Sequence, residues 1–261
     1  MKNIVICGDS YSIGIGCHDL VNDPYGSLLS KNFNCNLINY AKGSSTNWSI
    51  YMQVKYAIEN IKDIEFLCIG VTCNYRTEWF PDKSKNLDRE ITNADINYHQ
   101  YPPYGEHTYP YLLENPMKND SNYTGEILTE NYYGVVSYVN DVVGKQNNFS
   151  GYWKKFDGES DKKMILLRDY YLNFFDCRIQ KHYDFGMITM SHLLLKNNGI
   201  KHFVLTCQPE FEPLIPKENL VYVDWGYLVQ KYPDDLKTLH TSAEGHRVVY
   251  DSIIKKIEEN K

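Results

Sequence analysis

A serine follows the first apolar segment of the chain almost at once. Asn3–Cys7 is a short apolar run, which predicts a buried strand, and Gly8-Asp9-Ser10 closes it with a turn sequence. Open α/β sheets keep their chemistry at the carboxyl ends of their strands. Ser10 therefore stands where a nucleophile would stand, although the tripeptide by itself is an ordinary turn sequence.

Two further turns carry groups that suit the same chemistry. Gly43 lies in a Gly/Ser-rich turn after the predicted strand Asn36–Tyr40, and Thr72 and Asn74 follow the predicted strand Glu65–Val71. In a parallel sheet the three turns meet at one edge. A hydroxyl, backbone N–H groups and a carboxamide would converge there, and these are the parts of a nucleophile with an oxyanion hole.

The best candidate for a general base is His240. It directly precedes Thr241-Ser242-Ala243-Glu244, whose capping-box spacing predicts a helix that begins near Thr241. The positive end of that helix would disfavour the imidazolium and keep the ring a neutral base. The other histidines have ordinary explanations: His182 and His192 fall in a predicted long helix, and His202 opens a predicted strand.

Together these segments resemble the SGNH hydrolase superfamily, the GDSL-type esterases and lipases. The serine block matches at Gly8-Asp9-Ser10, the oxyanion glycine at Gly43, and the histidine block at His240, with His246 six residues later. The resemblance implies a three-layer α/β/α, flavodoxin-like fold with a mostly parallel sheet. It also implies hydrolysis of esters, often acetyl groups on sugars, through an acyl-Ser10 intermediate with His240 as base, and a structural role for His246.

The chain departs from the family in its third block, which is usually Gly-x-Asn-Asp. Here Gly70-Val71-Thr72 puts Thr72 at the asparagine position, with Asn74 two residues later. The predicted oxyanion hole therefore consists of the N–H groups of Ser10 and Gly43 with either Asn74 or Thr72. Loss of one such donor typically costs about a hundredfold or more in rate.

A second departure concerns the acid that orients the histidine. Lys237 stands three residues before His240, where the family usually has Asp, and Asp234 and Asp235 lie further upstream. Three arrangements stay open: a rearranged loop in which Asp235 completes a triad, a Ser–His dyad with a backbone carbonyl holding the ring, or a decayed site. We take Asp235 as the candidate acid.

The elements around these residues alternate in the manner of an α/β domain. Apolar runs predict five strands, and helical spacing predicts helices that must position the turns. We expect one domain over residues 1–261, with a Tyr-rich insertion at about 76–160. The strands are predicted at Asn3–Cys7, Asn36–Tyr40, Glu65–Val71, His202–Thr206 and Leu220–Val223. The helices are predicted at Tyr25–Phe33, Asn47–Ile61, Lys162–Lys196 and from Thr241 onward. We expect Gly186 to kink or split the third helix and Gly199 to end it.

The substrate prediction rests on the residues that border the serine and on the insertion. Asp9, Tyr11 and Arg76 are candidate substrate contacts, although Arg76 with Glu78 equally suits a surface ion pair. Aromatic and amide side chains suit stacking on sugar rings, which favours an O-acetylated carbohydrate. The tyrosines of the insertion equally suit packing onto the core.

Composition excludes several classes of partner. The 261 residues carry a net charge of −6 with 23% charged residues and no basic block, so we expect no nucleic-acid partner. Seven cysteines without a Cys-x-x-Cys pair indicate free thiols in a reducing compartment and no metal site. We expect no cofactor.

The amino-terminal segment lacks the pattern of a secretory signal, and no apolar stretch reaches the length of a membrane span. This predicts a cytoplasmic protein without a membrane partner. Segments 70–79 and 167–171 look similar to SGNH-like proteins of tailed bacteriophages, which would make the protein virion-associated. The alternative function is a catalytically decayed SGNH-like binding or virion protein, suggested by Lys237.

Overall fold

The computed structural model of the protein describes residues 1–41, 45–72, 76–79, 134–137, 177–234 and 240–261. These ranges hold seven strands and six α-helices, numbered here among the described residues alone. The strands are β1 (Asn3–Cys7), β2 (Asn36–Asn39), β3 (Ile64–Gly70), β4 (Arg76–Trp79), β5 (Gly134–Ser137), β6 (His202–Thr206) and β7 (Leu220–Tyr222). The helices are α1 (Ser10–Ile13), α2 (Tyr25–Phe33), α3 (Asn47–Asn60), α4 (Cys177–Asn197), α5 (Trp225–Lys231) and α6 (Ala243–Glu259), and short 3₁₀ turns span Pro209–Phe211 and Lys217–Asn219.

Five strands form one all-parallel sheet in the order β2-β1-β3-β6-β7. This is the strand order of flavodoxin-like folds: β2 lies at one edge beside β1, and the later strands follow in chain order on the other side of β1. The predicted α/β fold class is confirmed. The predicted strand positions agree with the observed ones to within one residue at each end, because short apolar runs bounded by turn residues are well-defined signals.

The alternation of side chains along each strand builds a core on both faces of the sheet. Ile4 and Ile6 of β1 pack toward α2 and α6, whereas Val5 and Cys7 pack toward α3 and α4. The helices of each face also contact each other, α2 with α6 and α3 with α4. The result is a three-layer arrangement that holds the strand ends rigidly at one edge.

Helix α4 is continuous from Cys177 to Asn197, so the predicted split at Gly186 is wrong. A glycine weakens a helix but does not remove a hydrogen bond from it, and α4 packs along α3. The predicted stop at Gly199 is confirmed. Its backbone has a positive φ of 67°, and its N–H donates to the carbonyl of Lys196.

The predicted capping box of the last helix is also wrong. Helix α6 begins at Ala243 with Ser242 as its N-cap, and no side chain caps it. The Thr241 hydroxyl instead lies 3.2 Å from the carbonyl oxygen of Leu228 and 3.0 Å from that of Tyr232. Tertiary hydrogen bonds to the end of α5 thus take the hydroxyl that the local pattern assigned to the cap.

The predicted insertion contains two described strands. β4 and β5 pair antiparallel, with Arg76 opposite Ser137 and Trp79 opposite Gly134. The insertion's remaining residues, and 161–176 of the predicted long helix, lie outside the described part of the chain.

Five cysteines whose side chains are described are free thiols. Cys7 and Cys68 are buried, as their apolar surroundings predict, and so is Cys17, which the sequence pattern did not indicate. Within the described ranges no cluster of metal-ligating side chains occurs. None of the helices described there is long and apolar enough to span a membrane.

Candidate active site

Ser10 is the first residue of a short helix that directly follows β1. The Asp9 carboxylate caps this helix, because its Oδ1 accepts a hydrogen bond of 3.1 Å from the N–H of Tyr11. Ser10 keeps 7% of its surface exposed at the carboxyl edge of the sheet. The turn therefore presents the serine at the place where the sequence predicts a nucleophile.

Asp9 and Thr72 are joined inside the protein. The Thr72 hydroxyl donates to Asp9 Oδ2 at 2.8 Å, and the N–H of Thr72 donates to Asn47 Oδ1 at 3.1 Å. The sequence predicts a substrate contact for Asp9 and an oxyanion contact for Thr72. The structure gives both side chains buried protein partners instead, which makes them supports of the turn that carries Ser10.

Buried amide side chains hold this edge of the sheet together, and the sequence analysis did not single them out. Gln53 Oε1 accepts the N–H of Gly8 at 2.7 Å, and Gln53 Nε2 donates to the Gly8 carbonyl at 3.2 Å. Asn39 Nδ2 donates to the carbonyl of Ser12 at 3.1 Å. In the sequence, each of these residues is a polar amide on an otherwise apolar helix or strand face. That pattern indicates a structural role only when the backbone group that the amide binds is known.

His240 lies against the same short helix. Its ring centroid is 4.8 Å from that of Tyr11, the neighbour of Ser10, and Tyr11 in turn stacks on Trp225 at 5.1 Å. The loop after α1 touches His240 as well, since a Cβ added at Gly16 would lie 3.0 Å from His240 Cβ. His240 thus packs against the immediate neighbour of Ser10.

Asp234 is an acid that contacts the backbone of His240. Its Oδ2 accepts the backbone N–H of His240 at 2.9 Å, and its own N–H donates to the His240 carbonyl at 3.1 Å. Pro233 and Thr241 form a β-bridge beside this pair. Asp234 therefore fixes the backbone from which the imidazole projects. The predicted acid Asp235, together with Lys237, lies outside the described residues.

Three other predicted site residues also lack a described side chain. Gly43 and Asn74 fall outside the described ranges, and Arg76 is described only as part of the backbone of β4. Tyr11 is half-buried and lies between Trp225 and His240. Of the predicted set, the structure therefore links Asp9 to Thr72 and to Tyr11, and Tyr11 to His240, with Ser10 between Asp9 and Tyr11 in sequence.

His246, on α6, is fully buried, in keeping with the structural role that the family resemblance implies. Its ring stacks on Tyr25 at 5.9 Å and 10°, and both ring nitrogens lack a hydrogen-bond partner. Burial, assisted by the nearby His240, lowers the pKa of His246 to about 3. The ring is consequently neutral at physiological pH and acts as a core side chain.

The arrangement supplies a hydroxyl on a rigid, capped turn with an imidazole-bearing segment packed beside it. A serine and an imidazole are the residue types that nucleophilic attack with general-base assistance requires. Burial raises the pKa of the Cys7 and Cys68 thiols, which disfavours a thiolate nucleophile at either position.

Comparisons with known proteins give distant structural likenesses. No protein-family model matches the sequence, and no curated protein matches it. Among solved structures, the salicylyl-acyltransferase SsfX3 from a tetracycline biosynthetic pathway aligns over 99% of this chain with 10% identity and a TM-score of 0.36. The chain spans 55% of that acyltransferase. A putative lipolytic protein of the G-D-S-L family from Desulfitobacterium hafniense DCB-2 aligns over 98% of this chain and 99% of its own, with 11% identity and a TM-score of 0.33.

Proposed function

We propose that the protein is a serine-dependent ester hydrolase of SGNH type. The observation that carries the proposal is that the His240 segment packs beside the turn that bears Ser10: the His240 ring lies against Tyr11, the neighbour of Ser10, and Gly16 approaches His240 Cβ closely. Ser10 opens this short helix at the carboxyl edge of the parallel sheet, and His240, far away in sequence, packs on the helix through Tyr11. This is the edge where open α/β folds place their chemistry.

In the proposed reaction Ser10 Oγ attacks the ester carbonyl while His240 accepts its proton. The tetrahedral intermediate collapses, the C–O bond to the alcohol breaks, and His240 returns the proton to the leaving alkoxide. Water then attacks the acyl-Ser10 ester, with His240 again as base, and releases the carboxylic acid. The N–H groups of Ser10 and Gly43 are the proposed oxyanion donors, with Asn74 as the third, because both donors of Thr72 are engaged by Asp9 and Asn47.

Two roles near His240 belong to the proposal. Asp235 would orient the imidazole, and Asp234 would hold its backbone through the 2.9 Å hydrogen bond. If Asp235 does not reach the ring, the site works as a Ser–His dyad. We propose an O-acetylated carbohydrate as substrate, with Tyr11 and Arg76 at the pocket, because tyrosine makes up 23 of the 261 residues and suits sugar stacking.

The test is covalent labelling by a fluorophosphonate, which reacts with activated serines. We expect wild-type protein to be labelled at Ser10 and to hydrolyse p-nitrophenyl acetate, and Ser10→Ala to lose both by at least 10³-fold. Ser12→Ala is the matched control, because Ser12 is a buried serine on the same helix. It should retain both activities within about twofold.

A second outcome points to the other candidate function, a binding protein on an SGNH-like scaffold. The observation that favours it concerns Thr72, which stands at the position of the usual oxyanion asparagine. Its hydroxyl and its N–H both donate to side chains inside the protein. Equal and negligible turnover by wild type and Ser10→Ala, with no labelled Ser10 peptide in a mass spectrum, would reject the esterase. Deacetylation of simple esters without action on acetylated glycans would reject only the carbohydrate substrate.

A further inference from the structure

Gln53 is a buried amide on α3 that the proposed reaction does not use. Only 4% of the residue is exposed, and it lies on the helix face of Ile50, Val54 and Ala57, which pack on the sheet with no exposed surface. A polar side chain on such a face destabilises the fold unless its hydrogen-bonding groups have partners. The role of Gln53 is therefore read from the groups that its amide binds.

The first of these groups is the backbone that leads to Ser10. Gly8, the residue after β1, donates its N–H to Gln53 Oε1 at 2.7 Å, and Gln53 Nε2 donates to the Gly8 carbonyl at 3.2 Å. This closed pair allows only one orientation of the amide, because a backbone N–H only donates and a carbonyl only accepts. It fixes two successive peptide groups, and the next peptide group carries the N–H of Ser10, a proposed oxyanion donor.

The second group belongs to the turn after β2. Gln53 Nε2 also donates to Ser45 Oγ at 3.1 Å, and Ser45 has no exposed surface. Ser45 directly precedes Thr46, whose side chain caps α3, and it follows the proposed oxyanion donor Gly43 by two residues. A single side chain of α3 thus connects the turn after β1 with the turn after β2.

We propose that Gln53 is a positioning residue for the oxyanion hole: it fixes the Ser10 turn and the turn after β2 relative to each other, so that the N–H groups of Ser10 and Gly43 face one oxygen. Its effect on catalysis rests on the proposed esterase function, whereas its effect on the local structure does not. Gln53 does not touch the substrate in this role. Because the oxyanion forms only during the reaction, misplaced donors should lower kcat without raising KM.

The test compares Gln53→Met with a change at the neighbouring position. Gln53→Met keeps the length of the side chain but removes its donors and its acceptor. Val54→Ala truncates a fully buried side chain of the same helix face that cannot hydrogen-bond either turn. We expect kcat for p-nitrophenyl acetate to fall at least about tenfold in Gln53→Met, with KM within about twofold of wild type. Val54→Ala should keep both constants within about twofold.

A second measurement does not depend on activity. The N–H of Gly8 donates to Gln53, and the N–H of Thr72 donates to Asn47 on the same helix, so the ratio of their hydrogen-exchange rates is insensitive to a general loss of stability. The ratio of Gly8 to Thr72 should rise about tenfold in Gln53→Met and stay at its wild-type value in Val54→Ala. If Gln53→Met does not fold, Ser45→Ala removes the link to the turn after β2 and should lower kcat without raising KM.

The outcomes separate the two proposals. An unchanged kcat in Gln53→Met, or a rise in KM that accounts for the whole loss, would overturn the positioning role, as would equal losses in Gln53→Met and Val54→Ala. A wild-type protein that neither hydrolyses esters nor is labelled at Ser10 rejects the esterase. In that case the exchange ratio alone decides whether Gln53 orders the Ser10 turn.

Discussion

At the scale of single residues, His246 shows how burial can fix a protonation state. The ring has no hydrogen-bond partner on either nitrogen and is held neutral between Tyr25 and Trp225. Its pKa is about 3 in the folded protein against 6.5 for an ordinary histidine. Because the unfolded chain binds the proton more readily, stability from this group is complete above pH 6.5 and is lost as the pH falls toward 3.

This predicts that the free energy of unfolding of His246→Phe will depend less on pH below neutrality than that of wild type. The phenyl ring keeps the stacking on Tyr25 but cannot bind a proton, so the variant should lose roughly 2–3 kcal/mol less than wild type between pH 7 and 4.5. Urea unfolding at several pH values measures this. His182→Gln, at an exposed position on α4, is the control and should keep the wild-type slope. Parallel profiles for His246→Phe and wild type would refute the assignment.

At the scale of elements, the loop after α1 decides how closely the His240 segment approaches Ser10. Gly16 has a φ of +105°, and a Cβ there would lie 2.5 Å from the Thr241 carbonyl oxygen and 3.0 Å from His240 Cβ. The bare backbone of Gly16 is therefore what permits the contact between the two segments. A side chain at this position would force them apart.

Gly16→Ala should accordingly reduce the rate of Ser10 labelling at least tenfold and lower the stability. The control is Gly199→Ala at the end of α4, where φ is also positive but the added Cβ meets nothing within 4 Å. It should cost about 1 kcal/mol of unfolding free energy from backbone strain and leave the labelling rate unchanged. Equal labelling rates in the two variants at matched stability would show that the contact does not matter for the site.

The sequence predicts elements far better than it predicts the partners of polar side chains. Strands such as β1 and β6 are found at their predicted bounds, since an apolar run between turn residues is a local property. The Thr241 capping box was wrong because the hydroxyl binds carbonyls at Leu228 and Tyr232, which are distant in sequence. Asn47 and Gln53 were missed for the same reason: nothing near them in sequence reveals that they bind Thr72 and Gly8.

At the scale of the whole molecule, two buried groups among the described residues make stability depend on pH with opposite signs. Asp184 has a pKa of about 7 in the fold against 3.8 for an ordinary aspartate, so the folded protein binds this proton more tightly. The stability linked to Asp184 is complete below pH 3.8 and is lost as the pH rises to 7. His246 acts in the other direction below pH 6.5. The two effects partly cancel across the mildly acidic range.

If one of the two groups is removed, the effect of the other on the pH dependence of stability should become measurable. Asp184→Asn lacks the ionisation, so it should be more stable than wild type at pH 8 by roughly 2 kcal/mol, after allowance for the unpartnered amide hydrogens. At pH 4 this advantage should disappear. Chemical denaturation at the two pH values measures the difference, and Asp251→Asn at an exposed position of α6 is the control. A stability difference that does not change with pH would contradict the raised pKa of Asp184.

The contact of Gly16 and Tyr11 with His240 also has a consequence for the order of folding. The turn that carries Ser10 is capped by Asp9, and its supports Gln53 and Thr72 also lie in the first 72 residues. His240 lies beside α6, whose docking on α2 joins the two ends of the chain and closes a loop of more than two hundred residues. We therefore expect a refolding chain to form the serine turn before His240 packs against it.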